Sequence, residues 1–258
     1  MSTSTSHFGN ALRAEALKSK RSFALWLTAG CSLFIPLIWM LALLFKSENL
    51  LPNVSPSPWD YLFRQAYQNS TLLLPFFIVL IVNLIVHIEH RADAWKQLYV
   101  QPVSRAHIYF SKLLFILLLT AASHLLFMAG IFLAGILSGL IVGEYNFLTS
   151  APDFQVYFGL LFRSFIAIMG IAALQYSLSY HIKNFSIPFG IGLAGVILSV
   201  MAIRAEEIIY LPYSYPMLSL FRYEKAAGPL LADVHYYSLA WFLAFAAAGF
   251  IIARKRTV

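Results

Sequence analysis

Charge is what this chain has least of. Asp, Glu, Lys and Arg make up 11% of its 258 residues, against about 25% in an ordinary soluble domain, so a water-facing surface of the usual kind cannot be built from it. Cysteine is nearly absent too: Cys31 stands alone, which excludes an intrachain disulfide and leaves the redox compartment unread. No polar segment is long enough to fold as a separate soluble domain or to house a nucleotide, a flavin or a metal cluster. The phosphate-binding pattern G-x-x-x-x-G-K-[ST] does not occur, nor do G-x-S-G or H-E-x-x-H. Glu206-Glu207 resembles the paired glutamates of a membrane protease family, but Leu211 stands where that pattern wants Arg. The expectation is a chain that is not an enzyme, with no cofactor of its own.

What is present is apolar: 60% of residues are hydrophobic and 16% aromatic. The apolar material comes in long blocks, and a hydrocarbon layer about 30 Å thick takes roughly 20 helical residues to cross. The blocks predict an all-α integral membrane protein with six transmembrane helices, at residues 23–45, 71–88, 108–142, 156–180, 185–203 and 236–252. The third exceeds one straight crossing, so its first turns, 108–112, are expected to run along the headgroups. Residues 1–258 form a single transmembrane domain.

Orientation follows from the basic residues, which are retained on the cytoplasmic side. Arg13, Lys18, Lys20, Arg21, Arg91, Lys96, Arg105, Lys112, Lys183, Arg254, Lys255 and Arg256 fall on one set of alternate segments. Lys46, Arg64, Arg204, Arg222 and Lys225 fall on the other. Both termini are therefore cytoplasmic, and the N-terminus shows no secretory signal pattern. The net charge of +7 reflects these lipid-flanking basic ends and not nucleic-acid binding.

The one substantial cytoplasmic loop between spans is 89–107. From Arg91 to Tyr99, Ala92, Trp95 and Leu98 or Tyr99 share a helical face, while Arg91, Asp93, Lys96 and Gln97 lie mostly elsewhere. Pro102 would end this short helix, and Ser104 can cap the next. A helix lying in the headgroups, with Trp95 and Tyr99 as anchors, is the alternative reading.

Ile88 to Leu113, I-E-H-R-A-D-A-W-K-Q-L-Y-V-Q-P-V-S-R-A-H-I-Y-F-S-K-L, resembles the loop after the second span in ABC-2 type permeases, with a nearest likeness to lantibiotic-protection exporters. A-E-A-L-K-S-K-R-S-F-A-L-W-L resembles the same family's helix leading into span one. The pattern is carried by Glu89, Trp95, Leu98, Pro102, Arg105 and Lys112. The resemblance implies a type V exporter-like permease fold and a half-transporter that forms a homodimer or heterodimer. It also implies a separate ABC ATPase subunit that would bind ATP and Mg. Coupling to that subunit would fall to Glu89, Arg91, Asp93, Trp95, Lys96, Leu98, Pro102 and Arg105. Residues 1–22 would form a cytoplasmic helix, although Glu15 falls on the face shared by Phe8, Leu12 and Ala16.

Within the spans, Gly135, Gly139 and Gly143 form a small-x-x-x-small series suited to helix packing. Gly190, Gly192 and Gly195 are similar, and the resemblance implies that their helix joins span one in a dimer seam. His124 near mid-membrane is a functional candidate by position, with a neutral His bonded to a neighbouring helix as the plainer reading. Arg163 can snorkel outward. Residues 46–70 and 204–235 are aromatic-rich and read as headgroup-level loops; for the second, the resemblance implies short re-entrant helices capping an exit. The substrate pathway has no residue signature. The expected function is ATP-driven export of an amphiphilic substrate or peptide across a bacterial cytoplasmic membrane. The alternative is a secondary transporter or channel, which would ordinarily place charge in several spans, where only Arg163 qualifies.

Overall fold

A computed structural model describes residues 3–20, 22–91, 103–225 and 231–255, and every regular element among them is helical. The helices are α1 (Thr3–Ser19), α2 (Phe23–Phe45), α3 (Ser47–Val54), α4 (Pro58–Arg91), α5 (Arg105–Ile141), α6 (Phe154–His181), α7 (Ser186–Met201), α8 (Tyr215–Lys225) and α9 (Asp233–Lys255). Short 3-10 turns occupy Gly143–Tyr145, Glu206–Tyr210 and Pro212–Ser214.

Among the described residues five helices, α2, α4, α5, α6 and α9, are long and apolar enough to cross a membrane. The fifth expected span in chain order, 185–203, is a helix of 16 residues, about 24 Å at 1.5 Å per residue, which is short of a full hydrocarbon layer. By contrast α4, with 34 residues, and α5, with 37, are about 51 and 55 Å long and must project beyond it. Helices α4 and α6 are central, each with 56% of its most apolar stretch buried, whereas α2 and α9 lie at the periphery with 28% and 22%.

Two expectations are corrected by these lengths. Residues 108–112 do not form a separate surface segment: α5 is continuous from Arg105, and Ile108, Tyr109, Ser111 and Lys112 are buried in the protein. Helix α1 covers them. Segment 46–70 is not a loop, because α3 and the first turns of α4 occupy most of it. Trp59, Phe63 and Tyr67 recur at a four-residue spacing, which aligns them on one helical face. They point inward and not along an interfacial belt. Phe63 stacks on Tyr157 with centroids 4.2 Å apart, and Trp59 Nε1 donates to the carbonyls of Phe147 and Ser150 at 3.0 and 3.1 Å.

The long helices tolerate proline where neighbours compensate. Pro36 lies inside α2 and packs against α5 at Gly130, where an added Cβ would sit 3.0 Å from Pro36 Cβ. The apolar core comprises two large clusters and a small third one of Ala167, Tyr215 and Val234. One large cluster joins the later half of α4 to the early half of α5 and the later half of α6. The other joins Trp59–Tyr67 to Phe127–Ile131, Phe147 and Tyr157–Leu161.

Candidate functional site

At the end of the bundle where residues 92–102 leave α4 and return to α5, four charges meet. Glu89 stands near the end of α4, Lys112 two turns into α5, and Glu15 and Lys18 one turn apart on α1. Lys112 Nζ donates to Glu89 Oε1 at 2.7 Å and to Glu15 Oε2. Lys18 Nζ donates to Glu15 Oε1 at 3.0 Å and to Glu89 Oε1 at 3.2 Å. The side chains of Lys112, Glu89 and Glu15 are 1%, 2% and 5% exposed, that of Lys18 32%.

Taking each ion out of water costs several kcal/mol, so such a set persists only if its charges balance and most of its polar atoms are paired. Among the described residues two carboxylates and two ammonium groups balance here, with Glu89 Oε2 the one buried oxygen of the set that has no hydrogen-bond partner. Burial raises the Glu15 pKa, but the Lys112 and Lys18 charges and their hydrogen bonds outweigh it and hold the carboxyl below its ordinary value. Burial lowers that of Lys18, and Glu15 and Glu89 reverse the sign, holding the ammonium above its ordinary value. Both groups are ionised near neutrality.

The cluster therefore binds α1 to both ends of the loop. Ser104 Oγ accepts from His107 N at 3.2 Å and caps α5. Phe8 meets His107 edge-on, with centroids 5.9 Å apart. Arg105 Nη1 donates to the Arg254 carbonyl at 2.8 Å, which ties the loop base to the end of α9. Above the charges, Tyr109 packs against Tyr176 and Tyr180 at 4.8 and 5.1 Å, and Tyr176 donates to the Tyr109 carbonyl at 2.9 Å.

The expected coupling residues fall in three places. Glu89 is inside the cluster, with its carboxylate turned to the two lysines. Arg91, the last residue of α4, is exposed, and Arg105 begins α5 half-buried. Asp93, Trp95, Lys96, Leu98 and Pro102 lie outside the described residues. Gly135 and Gly139 sit beneath Trp59 and Phe147, where an added Cβ would come within 2.6 and 2.9 Å of those side chains. Gly195 lies under the Tyr213 ring, where an added Cβ would come within 2.5 Å of its carbons, while Gly143 and Gly190 face open space. Arg163 is half-buried on α6.

Sequence reasoning singled out neither Lys18 nor the polar ladder between α4, α6 and α7. In that ladder Ser179 Oγ donates to Asn83 Oδ1 at 2.8 Å, Gln175 Nε2 to the Pro188 carbonyl at 2.6 Å, and Tyr213 Oη to Gln175 Oε1 at 3.0 Å. Polar residues isolated in apolar runs were the available signal. Tyr213 and Tyr215, expected at headgroup level, are buried, whereas Tyr210 of the same segment is exposed.

Farther along the bundle, between the two large apolar clusters, α2, α4, α5 and α6 enclose a cavity of about 560 Å³. Trp26, Phe34, Leu73 and Phe77 are among its apolar walls, and His124 and Ser164 form a polar patch. His124 Nδ1 donates to the Thr120 carbonyl at 2.9 Å, and Nε2 lies 3.2 Å from Ser164 Oγ on α6.

A family model described as ABC-2 family transporter protein matches residues 11–199. This chain belongs to the ABC-2 family of transporter proteins. The match runs from α1 into α7 and takes in the four charges, the loop between α4 and α5 and the cavity. As an ABC-2 chain it is a multi-pass membrane protein and a permease component. No curated protein and no solved structure matches it.

Proposed function

We propose that this chain is the membrane-spanning subunit of an ATP-driven exporter. A separate ABC ATPase, binding ATP and Mg, would dock at residues 89–107 on the cytoplasmic face of a bacterial inner membrane and drive export of an amphiphilic molecule or peptide. The permease acts as a homodimer or heterodimer. The observation that carries the reading is the buried four-charge cluster, which binds both ends of the loop to α1, α4 and α5. A push on the loop meets a braced base, so force passes into membrane-crossing helices and is not lost in local bending. Glu89 serves this role from inside, by holding the base, while Arg91 and Arg105 stand where a partner could touch them.

The test is gentle purification of the tagged full chain from its host, with mass spectrometric identification of what accompanies it. An ATPase subunit in near-equal amount is expected, and recovery should fall when Arg91→Glu and Arg105→Glu are combined. A homogeneous preparation that never carries an ATPase, whatever the detergent, would overturn the reading in favour of a channel or secondary transporter.

A further inference from the structure

The hydroxyls that line the cavity between α2, α4, α5 and α6 share a one-sided hydrogen-bonding character. Each hydroxyl on its lining spends its hydrogen inside the protein. Ser32 donates to the Thr28 carbonyl at 2.6 Å, Ser70 to that of Tyr67 at 2.7 Å, Ser123 to that of Thr120 at 2.7 Å, and Tyr67 to that of Leu160 at 3.4 Å. Ser164 is committed as well. A carbonyl can only accept, so His124 Nδ1 carries the proton toward Thr120, which leaves Nε2 to accept the Ser164 hydroxyl. The lining thus keeps oxygen lone pairs and presents no free hydroxyl hydrogen. Among the described residues no Asp, Glu, Lys or Arg lines it.

An unpaired ion in such a site would forfeit its hydration without return, and a ligand with acceptors alone would find no hydrogen-bond donor among the hydroxyls. A ligand with an uncharged donor gains a bond to Ser123 or Ser164, whose side chains are 5% and 4% exposed. The walls at the α2 side carry Phe23, Trp26 and Phe34, all exposed on the surface of the single chain, so the cavity opens laterally. The volume falls within the range of small-molecule sites, about 300–1,000 Å³.

We propose that this cavity is a lateral binding site for an uncharged amphiphile, an apolar chain ending in a hydroxyl or amide N–H donor, which seats its donor on Ser123 and Ser164. As a cargo site it deepens the exporter reading and rests on it; as a binding site it stands alone. Cys31 supplies the readout, because the only cysteine of the chain lies on the cavity wall.

The experiment measures the rate at which N-ethylmaleimide labels Cys31 of the full chain in phosphatidylcholine nanodiscs, with dodecanol, dodecane or dodecyltrimethylammonium added at equal membrane concentration. Dodecanol should protect Cys31, with roughly two- to tenfold tighter apparent binding than dodecane, the worth of one net hydrogen bond. Ser123→Ala with Ser164→Ala should abolish that preference; losing the Ser164 hydroxyl strands the buried His124 Nε2, so a lowered but still cooperative melting transition is expected. Equal protection by all three probes, stronger protection by the cationic probe, or a preference that survives both substitutions would overturn the proposal. Native mass spectrometry of untreated protein separates the sources: a retained neutral lipid bearing a hydroxyl marks a resident occupant, an empty protein that takes up dodecanol marks a supplied cargo, and a retained phospholipid counts against the site. Co-purification of an ATPase is independent of these outcomes, so either reading can fail alone.

Discussion

Lys112 Nζ lies 2.7 Å from Glu89 Oε1, joining the two helices from which the loop departs and returns, at a depth where each side chain is almost fully covered. Glu15 and Lys18 close the set from α1. The arrangement explains a feature that fits poorly with a surface helix. Glu15 shares its face with Phe8, Leu12 and Ala16; where α1 meets α5, Glu15 is buried and Phe8 and Leu12 are half-buried, while Ala16 stays exposed.

Removing one charge from this set leaves the others unbalanced. Lys112→Met leaves two carboxylates facing Lys18 alone, and loss of one partner from a buried ionic set costs about 3–5 kcal/mol. A marked drop in melting temperature in detergent is expected. Adding Glu15→Gln restores the balance and should recover part of the loss. Additive losses in the double variant would show that the two residues are not coupled.

The attachment of α1 should depend on pH in a defined way. Glu15 is held below its ordinary 4.5, so its contribution is present above 4.5 and disappears as pH falls through the lower folded value. Lys18 is held above its ordinary 10.5, so its contribution is complete below 10.5 and disappears only as pH rises through the higher folded value. Amide-exchange protection of α1, corrected for intrinsic rates, should be flat from near neutrality to mild alkali and collapse in acid below the carboxylate range. Loss of protection already near neutrality would contradict an ionic attachment.

The sequence carried the class and most spans, because apolar blocks of membrane-crossing length need no knowledge of their partners. It also marked Glu89, Arg105 and Lys112. It could not show the partner of Glu15, since Lys112 is 97 positions away and nothing local links them. The early start of α4 was hidden by Asp60, Arg64 and Gln65, polar residues that lower hydropathy without breaking a helix, while the four-residue recurrence of Trp59, Phe63 and Tyr67 was there to be read as a buried face. The short α7 reads like a span by composition alone, and its 16 residues emerge only once the chain's turn at Ala202 is known.

At the far end of the bundle, Trp59 acts as both wedge and clasp. Its ring fills the space over Gly135, and its N–H holds the carbonyls of Phe147 and Ser150. Trp59→Phe keeps an aromatic ring but strands those acceptors, at a cost of about 1–3 kcal/mol. A melting temperature unchanged from the parent would mean that the clasp contributes nothing.

The glycines of α7 separate internal packing from contacts between chains. An Ala at 195 would place its Cβ 2.5 Å from two carbons of the Tyr213 ring, so Gly195→Ala should destabilise the single chain by about 1–3 kcal/mol through overpacking. Gly190 faces open space and is exposed, so Gly190→Leu should leave the melting temperature of the isolated chain close to that of the parent. If this face of α7 meets a second permease chain, the added side chain has no room there, and Gly190→Leu should yield monomers where the parent yields dimers. Chemical crosslinking in native membranes reads the difference, and dimers at parental yield in the variant would move the seam to another face.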